Sequence, residues 1–448
     1  MFGWQGKALR VNLTNGLVET ELIATELLED YLGGCLLAGK IAELENISAE
    51  NNKLVISNGV LTGTGTPGAA LCAIGAHVFP EFFCCPLWYH LGAELKFCGY
   101  DVIIIEGEAP VWSYLLVSDN EVKIVSGEEI KGLSLRETEN FIKSGYSKWL
   151  GNEIRILSIG EAGEGQSALA SLVNDGLLIS HSGGIGSVFG EKHLKAIAVR
   201  GIQDFKLAHA SKFVDIITKA IQNFRDNKDR IYEQMANICE ELNLPLVEKI
   251  YYGSEKRGCL GCPIACLQQK QEEFLPHFTT LFCLTHLLGL YRLEEILVIY
   301  HLCLKKGIDP IALSVAARCV IELVKQGKVK ETSLKIGDIE GLINLITDHD
   351  SLLHKGAARL AQEYNIEEYF KGLKKELNEH LGIIFGNLNQ VNEKMHILDA
   401  LGICPYILLG FPFEMIKETF KTVTGKELVE GSLKNRGLKW MEDYTVFR

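Results

Sequence analysis

The hydrophobic period of this chain changes once, near Gly201, and that change limits the architectures open to it. Ahead of it, short apolar runs bounded by Gly, Asn or Asp recur at 54–57, 102–106, 114–118, 154–159 and 195–199. Their length and β-branching predict strands. Lys7-Ala8-Leu9-Arg10-Val11-Asn12-Leu13 alternates, and Thr14-Asn15-Gly16 supplies a hairpin turn before Leu17-Val18-Glu19-Thr20. Helical interludes are expected near 24–32 and 135–144. Beyond Gly201 the apolar residues fall at helical spacing over 212–224, 229–242, 293–306, 311–326, 339–348 and 352–364. Asp309-Pro310 places a proline just inside a helix start. The predicted class is α+β, a β-rich N-terminal domain followed by two mostly helical domains. Their expected limits are 1–204, 205–370 and 371–448.

The chain has 448 residues, 47% of them hydrophobic and 23% charged, enough to build large cores. Its net charge of −12 is the wrong sign for wrapping nucleic acid. The most apolar stretch, 67–91, is broken by Pro80, Glu81 and Pro86, so buried loop and core are expected there rather than a membrane span. The opening Met1-Phe2-Gly3-Trp4-Gln5-Gly6-Lys7 lacks the basic and apolar regions of a secretory signal. A cytoplasmic location is expected, and there the 13 cysteines read as thiols or metal ligands, not as a disulfide framework.

Three of those thiols carry the strongest chemical signal. Gly258-Cys259-Leu260-Gly261-Cys262-Pro263-Ile264-Ala265-Cys266 spaces them C-x2-C-x3-C in a compact loop that can converge on one metal centre. Soft thiolates select zinc, Cu(I) or an iron–sulfur cluster. A 4Fe–4S cluster wants four cysteines. Cys404, in Asp399-Ala400-Leu401-Gly402-Ile403-Cys404-Pro405, is the best candidate for the fourth. A structural zinc site also closes with four ligands and stays open on spacing alone. The radical-SAM order, three intervening residues then two, does not fit. The other cysteines, Cys35, Cys72, Cys84, Cys85, Cys98, Cys239, Cys283, Cys303 and Cys319, sit mostly in apolar runs and read as small buried hydrophobes.

The chain resembles the tungsten-dependent aldehyde ferredoxin oxidoreductases over most of 1–366 and again over about 395–448. The resemblance rests on Gly6-Lys7-Ala8-Leu9-Arg10-Val11-Asn12-Leu13, Leu61-Thr62-Gly63-Thr64 and Gly92-Ala93-Glu94-Leu95-Lys96-Phe97-Cys98-Gly99-Tyr100-Asp101. Asn174-Asp175-Gly176, Gly183-Gly184-Ile185-Gly186 and Leu194-Lys195-Ala196-Ile197-Ala198-Val199 add to it. It implies a sheet-based base domain carrying two helical domains, with a 4Fe–4S cluster beside a bis-pterin tungsten site. It also implies Cys259, Cys262, Cys266 and Cys404 as the cluster ligands.

The main departures from the family pattern fall on the pterin site. The family's Gly-Gly-Arg after Leu-Thr-Gly-Thr reads Ala69-Ala70-Leu71 here, and its Asn-Ser-Gly-Gly reads Pro86-Leu87-Trp88-Tyr89. The arginine before Gly-Gly-Val-Gly has become Ser182, and Gly-Pro-Glu-Tyr-Glu has become Leu275-Pro276-His277-Phe278-Thr279. The Asp-Pro-Arg-Gly motif and the His-bearing segment after it are missing. Burying pterin phosphates without cations costs several kcal/mol, so these losses predict a cavity filled by side chains and no bound tungstopterin.

The expected function is therefore a 4Fe–4S electron-transfer or scaffold subunit of a redox complex, with no catalytic residues assigned. Its expected partner is a ferredoxin or an active family subunit, in a homo- or hetero-oligomer. An active tungsten or molybdenum pterin enzyme oxidising an aldehyde to a carboxylic acid, with ferredoxin as acceptor, is one alternative. A zinc-stapled structural protein is the other.

Lesser signals favour bland readings. Gly160-Glu161-Ala162-Gly163-Glu164-Gly165 and Gly184-Ile185-Gly186-Ser187-Val188-Phe189-Gly190 lack nucleotide-binding spacing and read as turns. His301 stands where the family has a Glu-x-x-His, but the Glu position is Val298. His77, His90 and His181 could build a new metal or heme site only against the odds, and Lys371-Gly372-Leu373-Lys374-Lys375 reads as a solvated face.

Overall fold

A computed structural model describes residues 1–429 apart from 120, 152, 180, 181, 245, 246, 331, 386 and 387, and the side chains of 378 and 380–393 are also outside the description. The β-rich part forms two six-stranded sheets. The first has the order β2-β1-β6-β3-β4-β5, with β1 (Lys7–Asn12), β2 (Leu17–Leu22), β3 (Leu54–Asn58), β4 (Cys72–Val78), β5 (Glu81–Leu87) and β6 (Val102–Glu106). The second has the order β11-β10-β9-β12-β7-β8, with β7 (Ser113–Ser118), β8 (Val122–Ser126), β9 (Arg155–Ser158), β10 (Val173–Asn174), β11 (Leu177–Leu178) and β12 (Leu194–Arg200).

Side-chain alternation turns these sheets into layers. Leu9, Val11, Ile56, Ile74, Ile103 and Ile105 of the first sheet share one core with Leu115, Val117, Leu157, Ile197 and Val199 of the second, so the sheets pack face to face. Their alternate neighbours point outward. Ala8, Val55, Ala73, Val102 and Ile104 join the core of the helical region, and Tyr114, Leu116, Ile156, Ala196 and Ala198 are covered by Ile142 and Tyr146 of the helix Leu135–Leu150.

The 67–91 stretch differs from its expected loop. It is the antiparallel hairpin of β4 and β5, with Cys72 opposite Leu87 and Val78 opposite Glu81. Pro80 lies in the turn and Pro86 on the edge strand, the two places where a sheet tolerates a missing N–H. The prolines rule out a membrane span, but nothing local marks them as the turn and the edge of a hairpin.

The expected helices form, with one revision. The 352–364 segment splits into a 3₁₀ turn, Leu352–Lys355, and a helix, Ala357–Glu363, because Gly356 between them has φ +77°. The helix Pro310–Lys325 is buried along nearly its whole length. Its N-cap, Asp309, accepts from the N–H groups of Ile311 (2.9 Å) and Ala312 (3.2 Å).

Candidate metal centre

The cysteine loop is the connection of a small hairpin. Strand β13 (Glu255–Arg257) pairs antiparallel with β14 (Leu267–Lys270), Arg257 opposite Leu267, and β15 (Glu273–Phe274) completes a three-stranded sheet. Residues 258–266 arch between the first two strands. The arch turns tightly at Gly261 (φ +67°) and Ala265 (φ +48°), and the Cys262 N–H donates to the Cys259 carbonyl at 3.0 Å. Ile264 anchors the arch in the core, and its carbonyl accepts from the Tyr232 hydroxyl at 3.2 Å. Leu260 at the tip is exposed.

Cys404 reaches the same place from far along the chain because the base domain holds it by main-chain bonds. Its N–H donates to the Gly68 carbonyl at 3.0 Å. The N–H groups of Val60, Leu61 and Leu71 donate to the carbonyls of Ala400, Leu401 and Gly402 at 3.3, 2.9 and 3.1 Å. Such contact needs the glycines on both sides: a Cβ on Gly59 would lie 2.0 Å from the Gly402 nitrogen. Asp399 fixes the approach, its Oδ2 accepting from the Cys35 N–H at 2.6 Å. Burial raises the Asp399 carboxyl to about 6.

The four thiols lie within one another's electrostatic reach. Burial first, then the charges of Cys266, Cys262 and Cys259, push the Cys404 thiol well above its ordinary value. Burial also raises Cys259, Cys262 and Cys266, the last to about 12. These groups ionise only beside strong positive charge, which bound iron or zinc supplies. Main-chain N–H groups are already directed at the sulfurs: Tyr89 at Cys259, Ile264 and Ala265 at Cys262, and Tyr406 at Cys404. N–H donors at sulfur tune iron–sulfur clusters. Among the described residues, no group of three or more His, Cys, Asp or Glu side chains is arranged to hold a metal ion. A single tetrahedral ion wants every sulfur about 2.3 Å from one point.

Around this centre the altered loops are closely packed. Ala69, Ala70 and Leu71 are buried. Trp88 lies between the helical core and the inter-sheet core. Tyr89 keeps φ +95°, a conformation suited to glycine, while its ring meets Phe274 edge-on at 5.4 Å. Ser182 is fully buried and its N–H donates to Asp309 Oδ2 at 2.9 Å. His277 and Phe278 pack on the ring of Tyr406, at 5.8 and 5.6 Å between centroids. A cavity lined by Cys266, Tyr251, His277 and Tyr300 holds about 20 Å³, room for roughly one water.

His301 is half exposed, 3.6 Å from Glu273, with Val298 also exposed. His90 is driven down to about 4, chiefly by burial, and its Nδ1 has no hydrogen-bond partner among the described residues. The main chain of His77 pairs with the Asn52 side chain, and His181 lies outside the described residues. Glu161 binds Lys306 and His349, and Glu164 binds Lys195, so both acids of the first glycine-rich loop are tied up in ion pairs. Lys371 pairs with Glu368 at 2.9 Å on an exposed helix face.

Two family models match the chain. That of the aldehyde ferredoxin oxidoreductase N-terminal domain matches residues 8–201, and that of domains 2 and 3 matches residues 215–381. A tungsten-containing aldehyde ferredoxin oxidoreductase of Pyrococcus horikoshii is 30% identical, over 93% of this chain and 77% of its own length. The chain belongs to the aldehyde ferredoxin oxidoreductase family. The same enzyme of Pyrococcus furiosus is also 30% identical over 93% of this chain. A second protein of that organism, the WOR-like subunit of an aliphatic sulfonate oxidoreductase, is 24% identical over 75% of this chain and 61% of its own length. In fold, the chain matches the active-site complex BamBC of benzoyl coenzyme A reductase, with a TM-score of 0.78, 20% identity, and 97% and 87% of the two chains covered.

Sequence reasoning about this family member missed the supporting groups. Nothing in the spacing of Tyr89 or Tyr406 marks their N–H groups as donors to sulfur. Tyr232, whose hydroxyl braces the cysteine loop, lies 32 residues from Ile264. Nor does the sequence bring Cys35 to Cys84, although the thiols of these two buried residues hydrogen-bond beside Asp399.

Proposed function

We propose that this aldehyde ferredoxin oxidoreductase family member binds a 4Fe–4S cluster through Cys259, Cys262, Cys266 and Cys404. We also propose that it has lost the tungstopterin site and serves as an electron-transfer or scaffold subunit of a redox complex. One contrast supports this reading. Four thiols with N–H donors remain at the base of the helical region, while the loops beside them are occupied by Trp88, Tyr89, Leu71 and Phe278. The donor set fits a cluster. It does not fit a bis-pterin ligand, whose phosphates need cations and close-approaching glycines where Ala69-Ala70-Leu71 and Trp88-Tyr89 now stand.

The expected partner is a ferredoxin-like carrier or an active family subunit. The name of the sulfonate oxidoreductase relative, itself a subunit, is consistent with life in a complex. Reduction of the anaerobically purified protein by dithionite tests the reading. It predicts a broad absorbance near 400 nm that bleaches on reduction, and no aldehyde-dependent reduction of viologen dyes. A colourless zinc protein would favour the structural alternative, and aldehyde-driven viologen reduction the enzymatic one.

A further inference from the structure

We infer that the outer face of the cysteine hairpin docks the acidic surface of a small one-electron iron–sulfur carrier, with Lys228 and Lys256 as the recognising charges. This surface rests on the reading of the chain as a cluster-bearing electron carrier, and it adds the place and polarity of the contact.

Strand β13 is the open edge of its three-stranded sheet, and all three of its residues are exposed. The ammonium of Lys256 sits 3.3 Å from the ring centroid of Tyr232, and that of Lys228 lies 5.9 Å from the same ring. Neither lysine has a carboxylate partner among the described residues. Glu255, the acid of the strand, is held by Arg257 at 2.7 Å. The chain as a whole carries −12, so an unpaired lysine pair over one aromatic ring runs against its general field.

The ring beneath them leads inward. The Tyr232 hydroxyl donates to the carbonyl of Ile264, which lies between Cys262 and Cys266, and Leu260 is exposed at the tip of the same loop. A partner seated on Lys228 and Lys256 is therefore separated from the thiols by one aromatic side chain and one turn of backbone. Complementary charge at such a spot raises encounter rates by about 10- to 1,000-fold at low salt. The strand edge and Leu260 supply the uncharged remainder of a small transient contact.

The test uses the intact, dithionite-reduced and desalted protein, mixed anaerobically with an oxidised acidic ferredoxin or with a basic cytochrome c. Bleaching near 400 nm before mixing reports the cluster itself, so its absence sinks the functional reading and this surface with it. With the cluster present, the second-order rate with ferredoxin should fall about tenfold or more between low and high salt. The double variant Lys228→Glu/Lys256→Glu should lose about tenfold at low salt, and Lys228→Gln/Lys256→Gln an intermediate amount, with the absorbance unchanged. The rate with cytochrome c should hold or rise. A ferredoxin rate indifferent to salt and to both double variants, or equal losses with both carriers, would overturn the proposal.

Discussion

The main-chain N–H of Tyr89 is aimed at the sulfur of Cys259 from a residue held at φ +95°. The backbone at this point keeps a glycine's conformation and turns its N–H toward the cysteine loop, while the side chain fills space against Phe274. Tyr89 thus ties the altered cofactor loop to the retained cysteine loop.

Replacing Tyr89 separates those two roles. Tyr89→Ala loses the ring contact and keeps the strained backbone, whereas Tyr89→Gly loses the ring and relieves the strain. A left-handed conformation costs a residue with a Cβ roughly 1–2 kcal/mol. The glycine variant should therefore be the more stable of the two by about 1 kcal/mol in chemical denaturation, with the visible absorbance of both retained.

Cys404 and Cys303 should respond in opposite ways. Both are buried, but only Cys404 lies with the other three thiols of the loop. Cys404→Ser should cut bound iron several-fold. Cys303→Ala should leave iron per chain unchanged and cost about 1–2 kcal/mol of stability through the small cavity it opens. Iron analysis of the two proteins, purified side by side, makes the comparison.

Main-chain contact at Gly59 should matter as much as the ligands. A Cβ there would lie 2.0 Å from the Gly402 nitrogen, with no flexible side chain to yield. Gly59→Ala should destabilise the protein by more than about 3 kcal/mol and lower its iron content by displacing Cys404. A variant with full iron and unchanged melting would contradict the docking of 399–404 on 59–71.

The pH dependence of stability should carry the signature of Asp399. Its carboxyl rises from 3.8 to about 6 in the folded protein because it is buried. The native state then holds a proton that the unfolded state releases. Stability from this group is fully present below about pH 4 and is lost as pH rises toward about 6, by at most about 3 kcal/mol. Asp399→Asn, whose amide oxygen can still accept from Cys35, should gain on the wild type across that window and run parallel to it above. Denaturation midpoints of the two proteins at pH 4, 5, 6 and 7 check the sign.

Most of the sheet and helix framework was legible because burial follows local period: β1 alternates between two cores, and Pro310–Lys325 is apolar around most of its circumference. The β4–β5 hairpin was hidden because edge position and turn position, which excuse its prolines, exist only once the sheet is assembled. The cysteine loop was readable as a compact arch from spacing, since it carries three thiols within eight residues. Its support was not. The N–H groups of Tyr89 and Tyr406, the brace from Tyr232 and the Gly68 carbonyl that accepts from the Cys404 N–H come from main-chain atoms or from distant side chains, and their residue types carry no mark of the role.

Metal and pterin analysis of the protein purified without oxygen tests the central claim most directly. The account predicts about four irons per chain, the content of one 4Fe–4S cluster, with tungsten, molybdenum and extractable pterin all far below one per chain. Tungsten or molybdenum near one per chain, together with pterin, would contradict it.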